Sequence, residues 1–379
     1  MNIGIDAHML GHNETGNETY VLELVRALAQ NAREDTYFIY VEQPARLPPE
    51  IRAAPHVRVI PYATRSSVRR LLDELPHRAA HDALDVLHMS YNAPLRLPKT
   101  CALVVTIHDI SFEHFPQFFS RRLRAFLKTS VPRSARAAAH ILTDTESAKR
   151  DLVRTYHLPA EKITVTPYAA GAQFRPVHDR AALEAIRQKY NTGEHYILAV
   201  GNLQPRKNHL RLLQAFAQAK RMGALPHKLV IVGQSWWRAE TVYAHARAFG
   251  DAVQFTGYVP DADLPLLYNA ADVFCYPSLY EGFGLPVLEA MACGVPVITS
   301  NLSALPEVAG DAARLVDPYD TNALAHALYE TARDDALRQE LRRRGLARAQ
   351  LFTWARTAEQ THRVYQRAAR RLTPARAPR

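Results

Sequence analysis

The chain has 379 residues, 47% of them hydrophobic and 22% charged, which suits a soluble globular protein long enough for two domains of ordinary size. No run is apolar for long enough to span a bilayer, and the opening Met-Asn-Ile-Gly-Ile-Asp lacks the basic start and apolar stretch of a secretory signal, so a cytoplasmic location is expected by default. A formal net charge of +10 points to acidic partners, whether nucleic acid, anionic lipid headgroups or phosphorylated substrates, and Cys101, Cys275 and Cys293, each in an apolar context, read as buried thiols.

Met1 to Ala7 reads as a strand, His8 to Gly16 as a polar loop, and Val21, Leu22, Leu24, Val25 and Leu28 recur at helical spacing, which makes a βα start. Gly16 stands just before that helix, where a backbone amide can face a phosphate, although the loop lacks the full dinucleotide fingerprint. Strand-like runs at 37–41, 57–60, 84–89, 102–107 and 140–143 alternate with helical or loop segments and predict a parallel, doubly wound sheet. One of them ends in Ile107-His108-Asp109, at the strand end where open α/β sheets bind ligands; on its own, His108 reads first as a structural residue.

Ser120 to Ala139 arranges Arg121, Arg122, Arg124, Lys128, Arg133 and Arg136 around Leu123, Phe126, Leu127 and Val131, a basic amphipathic pattern interrupted by Pro132. It fits either an anionic membrane surface or an ordinary surface helix packed by its apolar stripe. Thr145-Glu146-Ser147 predicts the cap of a helix to Tyr156, followed by a strand at 163–166. The stretch 168–176, with its glycine and proline, is the expected link between an N-terminal domain of 1–167 and a second βα series over 177–353.

That second series opens with a strand at 196–200, a loop from Asn202 to Lys207 and a helix from about Asn208 to Met222. Arg206 and Lys207 leave a strand's C-terminal end together, where they either neutralise a pyrophosphate or sit solvated. Strands at 229–232 and 253–256 follow, and Asp261 is placed to cap a helix reaching Ala270. Asp261-Ala262-Asp263 resembles a divalent-metal pair, but acids suit a helix start anyway; no other His, Cys or acidic cluster has ligand spacing, and no metal site is expected. Beyond residue 300, the segment 301–318 reads mostly as loop, 322–351 as helix and 354–372 as a further arginine-bearing helix, with a disordered tail in 354–379 formed by TPARAPR.

The densest chemistry lies in Asp272 to Ser300, a strand, loop, helix and strand in which Glu281 and Glu289 bracket a Gly-Phe-Gly-Leu-Pro turn. The amides of Gly282, Phe283, Gly284 and Leu285 open onto a helix N-terminus, a geometry that favours phosphate. Glu289, expected in the first turn of that helix, then makes sense as an acceptor for ribose hydroxyls, and Glu281 as a contact for a second sugar. Together they describe a sugar nucleotide; the plainer reading is a glutamate favoured by the helix dipole beside a common turn.

From Tyr280 to Asp317 the sequence resembles the Glu-x7-Glu motif of the retaining GT-B glycosyltransferases of family four, and with the Arg206-Lys207 loop the resemblance spans the second domain and, more loosely, the first. It implies an α/β GT-B fold: two Rossmann-like, doubly wound domains facing each other across a cleft, a final helix returning to the first domain, and no required metal or other cofactor. Carried over by position, Arg206 and Lys207 hold the donor diphosphate, Glu289 the ribose, Glu281 the transferred hexose, the amides of Phe283, Gly284 and Leu285 the phosphate or sugar, and Val259 the base. From the first domain, His108 matches a histidine near the reacting sugar carbon and Gly16 an amide near the phosphates. One departure is Asn202, where many members carry arginine.

The phrases VGNLQPRKNH and SLYEGFGLP look most like bacterial mannosyltransferases that build surface polysaccharide from GDP-mannose, with UDP-glucose users sharing much of the pattern. The partners so implied are a nucleotide sugar, a glycan or lipid-linked acceptor and an anionic membrane at the inner face, not a nucleic acid. The residues alone leave two other classes open: a hydrolase using Glu281 and Glu289, and a nucleotide-sugar-binding protein without turnover.

Overall fold

Runs of β-branched and aromatic residues form two separate sheets in the computed structural model, which describes residues 1–12, 15–31, 34–235 and 239–372. One compact unit comprises Met1–Tyr168 and the final segment from Thr353, the other Ala169–Phe352. The tail from Thr373, expected to be disordered, lies outside the described residues.

The first sheet holds β1 (Asn2–Asp6), β2 (Thr36–Val41), β3 (Val57–Pro61), β4 (Val86–Ser90), β5 (Ala102–Thr106), β6 (His140–Thr143) and β7 (Ile163–Val165) in the order β3-β2-β1-β4-β5-β6-β7. The second holds β8 (Tyr196–Val200), β9 (Lys228–Val232), β10 (Val253–Gly257), β11 (Val273–Tyr276), β12 (Val297–Ser300) and β13 (Ala313–Val316) in the order β10-β9-β8-β11-β12-β13. Every pairing is parallel, so in each sheet all C-terminal strand ends share one edge. Chain order reverses between β1 and β4 and between β8 and β11, the switch points at which such sheets bind ligands. Central strands such as β5 and β12 are buried throughout, and each Val, Ile or Leu they bury stabilises the fold by about 1.5–3 kcal/mol.

Several expectations need correction. The basic helix is unbroken from Arg121 to Ala137 with Pro132 inside it, because Ser130, Val131, Ser134 and Ala135 are buried and their packing outweighs one missing backbone bond. The segment 301–318 contains a helix, Leu305–Ala309, and β13, whose short Ala-Arg-Leu-Val run becomes a strand through its ladder with β12. The helix read over 322–351 is two, Thr321–Arg333 and Asp335–Ala349. Asp334 ends the first in extended backbone and caps the second by accepting from Leu337 N at 2.9 Å. Asp261 caps nothing: its helix runs over Leu264–Ala270 and is preceded by Asp263, whose carboxylate is taken by Lys189 and Tyr190, each at 2.6 Å. Gly16 is the second residue of the helix Thr15–Gln30 and does not precede it. No described helix is long and apolar enough to cross a membrane.

Candidate active site

At the C-terminal edge of the second sheet, Arg206 and Lys207 come from the loop after β8 and Glu281 from the loop after its neighbour β11. Asn208, in left-handed conformation, fixes the first loop by donating to the carbonyls of Pro277 at 3.1 Å and Pro318 at 2.8 Å, while Arg206 O accepts from Leu279 N at 2.9 Å. The side chains then converge: Glu281 Oε2 pairs with Arg206 Nη1 at 2.8 Å, and Glu281 Oε1 accepts from Lys207 Nζ at 2.7 Å, from Tyr276 Oη at 2.9 Å and from Ser278 Oγ. Burial pushes the Glu281 carboxyl up, but the charges of Arg206 and Lys207 and these hydrogen bonds outweigh it and bring it down to about 2. The cluster is a buried, ionised carboxylate paired with two cations.

Gly282 to Leu285 follows directly. Gly284 precedes the helix Leu285–Ala292 with φ 102°, and a Cβ there would meet Leu305 Cδ2 at 2.5 Å, so the turn admits only glycine. Phe283 is buried edge-on to Phe352 at 5.9 Å. Glu289 lies one turn inside the helix, not in its first turn, because Gly284 sets the start at Leu285. Its carboxylate accepts from Tyr268 Oη at 3.0 Å, and burial pushes its pKa up to about 7 against that hydrogen bond. Val259, two residues past β10, is buried beside exposed Tyr258. Asn202, where the resemblance led one to look for arginine, accepts from Gln234 N at 3.1 Å and ties the β8 loop to the β9 loop. Those loops run so close that a Cβ on Gly233 would lie 2.2 Å from Gly201 O.

The first unit has its own buried cluster. His108, just past β5, sets Nδ1 3.2 Å from both oxygens of Asp144, which follows β6, and bonds Tyr168 Oη as well. Tyr20 lies edge-on to His108 at 4.8 Å and stacks on Tyr168 at 4.9 Å. Asp144 is buried, which raises its carboxyl pKa even though His108 opposes the shift. As an acceptor for Nδ1 it leaves His108 Nε2, buried and without a partner among the described residues, as the ring's remaining hydrogen-bonding atom. Gly16 is exposed, with nothing within 4 Å of where a Cβ would stand.

These geometries sit on a chain that is 33% identical over 366 residues to the O-antigen chain mannosyltransferase B of Escherichia coli, covering 93% of this chain and 96% of that one. The chain belongs to the family-four glycosyltransferases. The family model described as Glycosyltransferase Family 4 matches residues 15–169, and that described as Glycosyl transferases group 1 matches 183–348. The O-antigen chain mannosyltransferase RfbU of Salmonella typhimurium is 31% identical over 59% of each chain. Among solved structures, the sucrose-phosphate synthase of Thermosynechococcus elongatus superposes with a TM-score of 0.74 at 24% identity, covering 97% and 98%, a likeness of fold. The two parallel sheets are thus those of a GT-B glycosyltransferase.

In this glycosyltransferase the structure gathers Arg206, Lys207 and Glu281 into one network and leaves Glu289 in a separate bond to Tyr268. Sequence reading passed over Tyr276, Ser278, Asn208 and Tyr268, and in the first unit Asp144, Tyr168 and Tyr20. Asp144 and Tyr276 had a usable signal, since each stands at or just past the C-terminal end of a strand. Tyr20 and Tyr268 had none, because an aromatic residue on a helix reads as core. One polar cluster also escaped notice for want of sequence proximity: His195, His227 and Asp272 meet in space.

Proposed function

We propose that this glycosyltransferase moves mannose from GDP-mannose to a hydroxyl of a glycan or lipid-linked acceptor in surface polysaccharide synthesis, retaining anomeric configuration and needing no metal for transfer. The observation that carries the reading is the Arg206, Lys207 and Glu281 network beside the glycine loop at the β8/β11 switch point. The mannosyl part rests on the E. coli and Salmonella relatives.

Breaking the bond from the anomeric carbon to phosphate leaves positive character on the sugar and extra negative charge on the diphosphate. Arg206, Lys207 and the helix start at Leu285 are fixed in advance to stabilise that charge, which is where an enzyme gains most over water. Glu281, its charge committed to two cations, is suited to holding hexose hydroxyls, not to attacking carbon. Glu289 takes the ribose hydroxyls and Val259 the base. The basic helix Arg121–Ala137 leaves Leu123 and Phe126 exposed beside its arginines, which supports a peripheral contact with anionic lipid on the inner membrane face.

The spread between Glu281 near 2 and Glu289 near 7 favours one second reading, donor hydrolysis with Glu289 as acid. Thermal melting with GDP-mannose and with UDP-glucose, followed by product analysis with and without acceptor, separates the cases. Stabilisation by GDP-mannose with mannose transferred only when acceptor is present supports the proposal. Preference for UDP-glucose reassigns the donor, sugar released without acceptor makes the chain a hydrolase, and binding without turnover makes it a binding protein.

A further inference from the structure

At the N-terminal edge of the second sheet, away from Arg206 and Glu281, three side chains converge because of where they stand in the strand order. His227, His195 and Asp272 each occupy the residue immediately before β9, β8 and β11, and these three strands lie side by side. The ladder fixes their backbones: Lys228 N donates to His195 O at 3.0 Å, and Asp272 N to Tyr196 O at 3.1 Å. Asp272 Oδ2 lies 3.2 Å from His195 Nδ1 and 3.4 Å from His227 Nε2, and all three atoms are within 4.8 Å of one another.

We propose that His195, His227 and Asp272 form a binding site for a borderline divalent transition metal, Zn2+ above all, which staples the N-terminal ends of three adjacent strands. Zn2+ binds imidazole nitrogen and carboxylate oxygen at about 2.0–2.2 Å, so neighbouring ligands of a tetrahedral ion stand about 3.3 Å apart. The separations of Asp272 Oδ2 from His195 Nδ1 and from His227 Nε2 are close to that value. Two nitrogen donors select Zn2+, Co2+ or Ni2+ over Mg2+ and Ca2+, which prefer oxygen. The His227 ring is buried, whereas the His195 side chain is 47% exposed, which gives the ion an entry path and leaves its remaining coordination to water. The nearest cations are engaged elsewhere: Lys220 donates to Leu225 O at 2.6 Å, and Arg338 to Thr331 O and to Asp335. Asp272 Oδ2 also accepts from Tyr196 N at 3.0 Å, which orients the carboxylate as a bound ligand's carboxylate must be oriented.

The site is independent of the transfer reaction, and its test does not read activity. The untagged full chain, stripped with chelator, is titrated with Zn2+ by calorimetry and with Co2+ by visible absorption, and melted with each ion and with Mg2+. One equivalent bound, and a Tm raised by about 5 °C or more when free Zn2+ is a hundred times Kd, are expected, with no shift from Mg2+. His195→Ala, at a half-exposed ring, should leave the metal-free melt unchanged, weaken Co2+ binding at least about ten-fold and remove the Zn2+ shift. Failure of the wild-type chain to bind one equivalent, or equal shifts in wild type and His195→Ala, would overturn the proposal, the latter because any of the chain's 17 histidines can bind zinc adventitiously.

Discussion

Lys207 Nζ donates to Glu281 Oε1 at 2.7 Å across 74 residues of sequence, and Arg206 holds the other oxygen at 2.8 Å. Their charges keep the folded-state pKa near 2, below its ordinary 4.5. Stability from this pairing is therefore complete above pH 4.5 and is lost as pH falls toward 2, amounting to at most on the order of 3 kcal/mol. Glu281→Gln should flatten the decline in stability between pH 4.5 and 2, as read from denaturant melts at each pH, because the substituted side chain has no proton to take up. The same variant, and Lys207→Ala, should each lose at least about ten-fold in turnover while staying folded. Parallel acid profiles, or near-normal rates, would remove these roles.

Glu289 carries the opposite sign. Burial raises its pKa to about 7, so the folded state favours the protonated form; its stabilisation is complete below about 4.5 and is lost as pH rises to 7. Glu289→Gln keeps an oxygen for the Tyr268 hydroxyl and has no charge to bury. Its Tm should equal that of wild type near pH 4.5 and exceed it at pH 8. Donor affinity should move the other way: hydroxyls donate best to an ionised acceptor, so wild-type binding should tighten between pH 6 and 8 and the variant's should stay flat. Calorimetric titration of the donor across that range checks the point, and a pH-independent wild-type affinity would rule out a titrating Glu289 at the ribose.

How much of this was legible follows from what each signal depends on. The strands were readable because a parallel strand buried on two faces is a continuous apolar run, and the loop Glu281 to Leu285 because glycine and proline mark backbone that few residues tolerate. β13 was hidden, since Ala-Arg-Leu-Val acquires its strand character only by pairing with β12. Pro132 misled for a similar reason: a helix-breaking residue is a local signal, and the buried flank of that helix is a tertiary one. The motif located Glu281 and Glu289, yet their opposite pKa shifts arise from Arg206, Lys207 and burial, which no spacing encodes. His195, His227 and Asp272 are up to 77 residues apart and became neighbours through strand order alone.

In the first unit, Asp144 contacts His108 through Nδ1, so the role expected of it is to position that ring. Asp144→Asn keeps the size of the side chain but loses the charge, and it can present its amide nitrogen to Nδ1, which turns the proton toward Nε2. If Nε2 is the working atom of His108, kcat should fall by at least about ten-fold while donor KM changes little, and the pH profile of kcat should shift with it. A merely structural Asp144 would lower Tm and leave the pH profile of the folded fraction where it was.

Exposure changes abruptly along the basic helix. Val131 and Ala135 are fully buried, while Leu123 is 47% and Phe126 50% exposed among Arg121, Arg122 and Arg124. A helix packed by its apolar stripe would bury Leu123 and Phe126 too; here the N-terminal half offers two apolar side chains and three cations to whatever lies beside it. Anionic lipid satisfies both at once, because each basic side chain near such a surface adds about 1 kcal/mol and inserted apolar groups add to that. Sedimentation with vesicles rich in anionic lipid should therefore fall sharply when Arg121, Arg122 and Arg124 are all changed to Gln, and binding by the wild type should weaken with added salt. Leu123→Asp with Phe126→Asp should also reduce sedimentation, but with the salt dependence retained, since the charges remain. Sedimentation that survives both sets of changes would leave the helix as an ordinary surface element and place any membrane contact elsewhere.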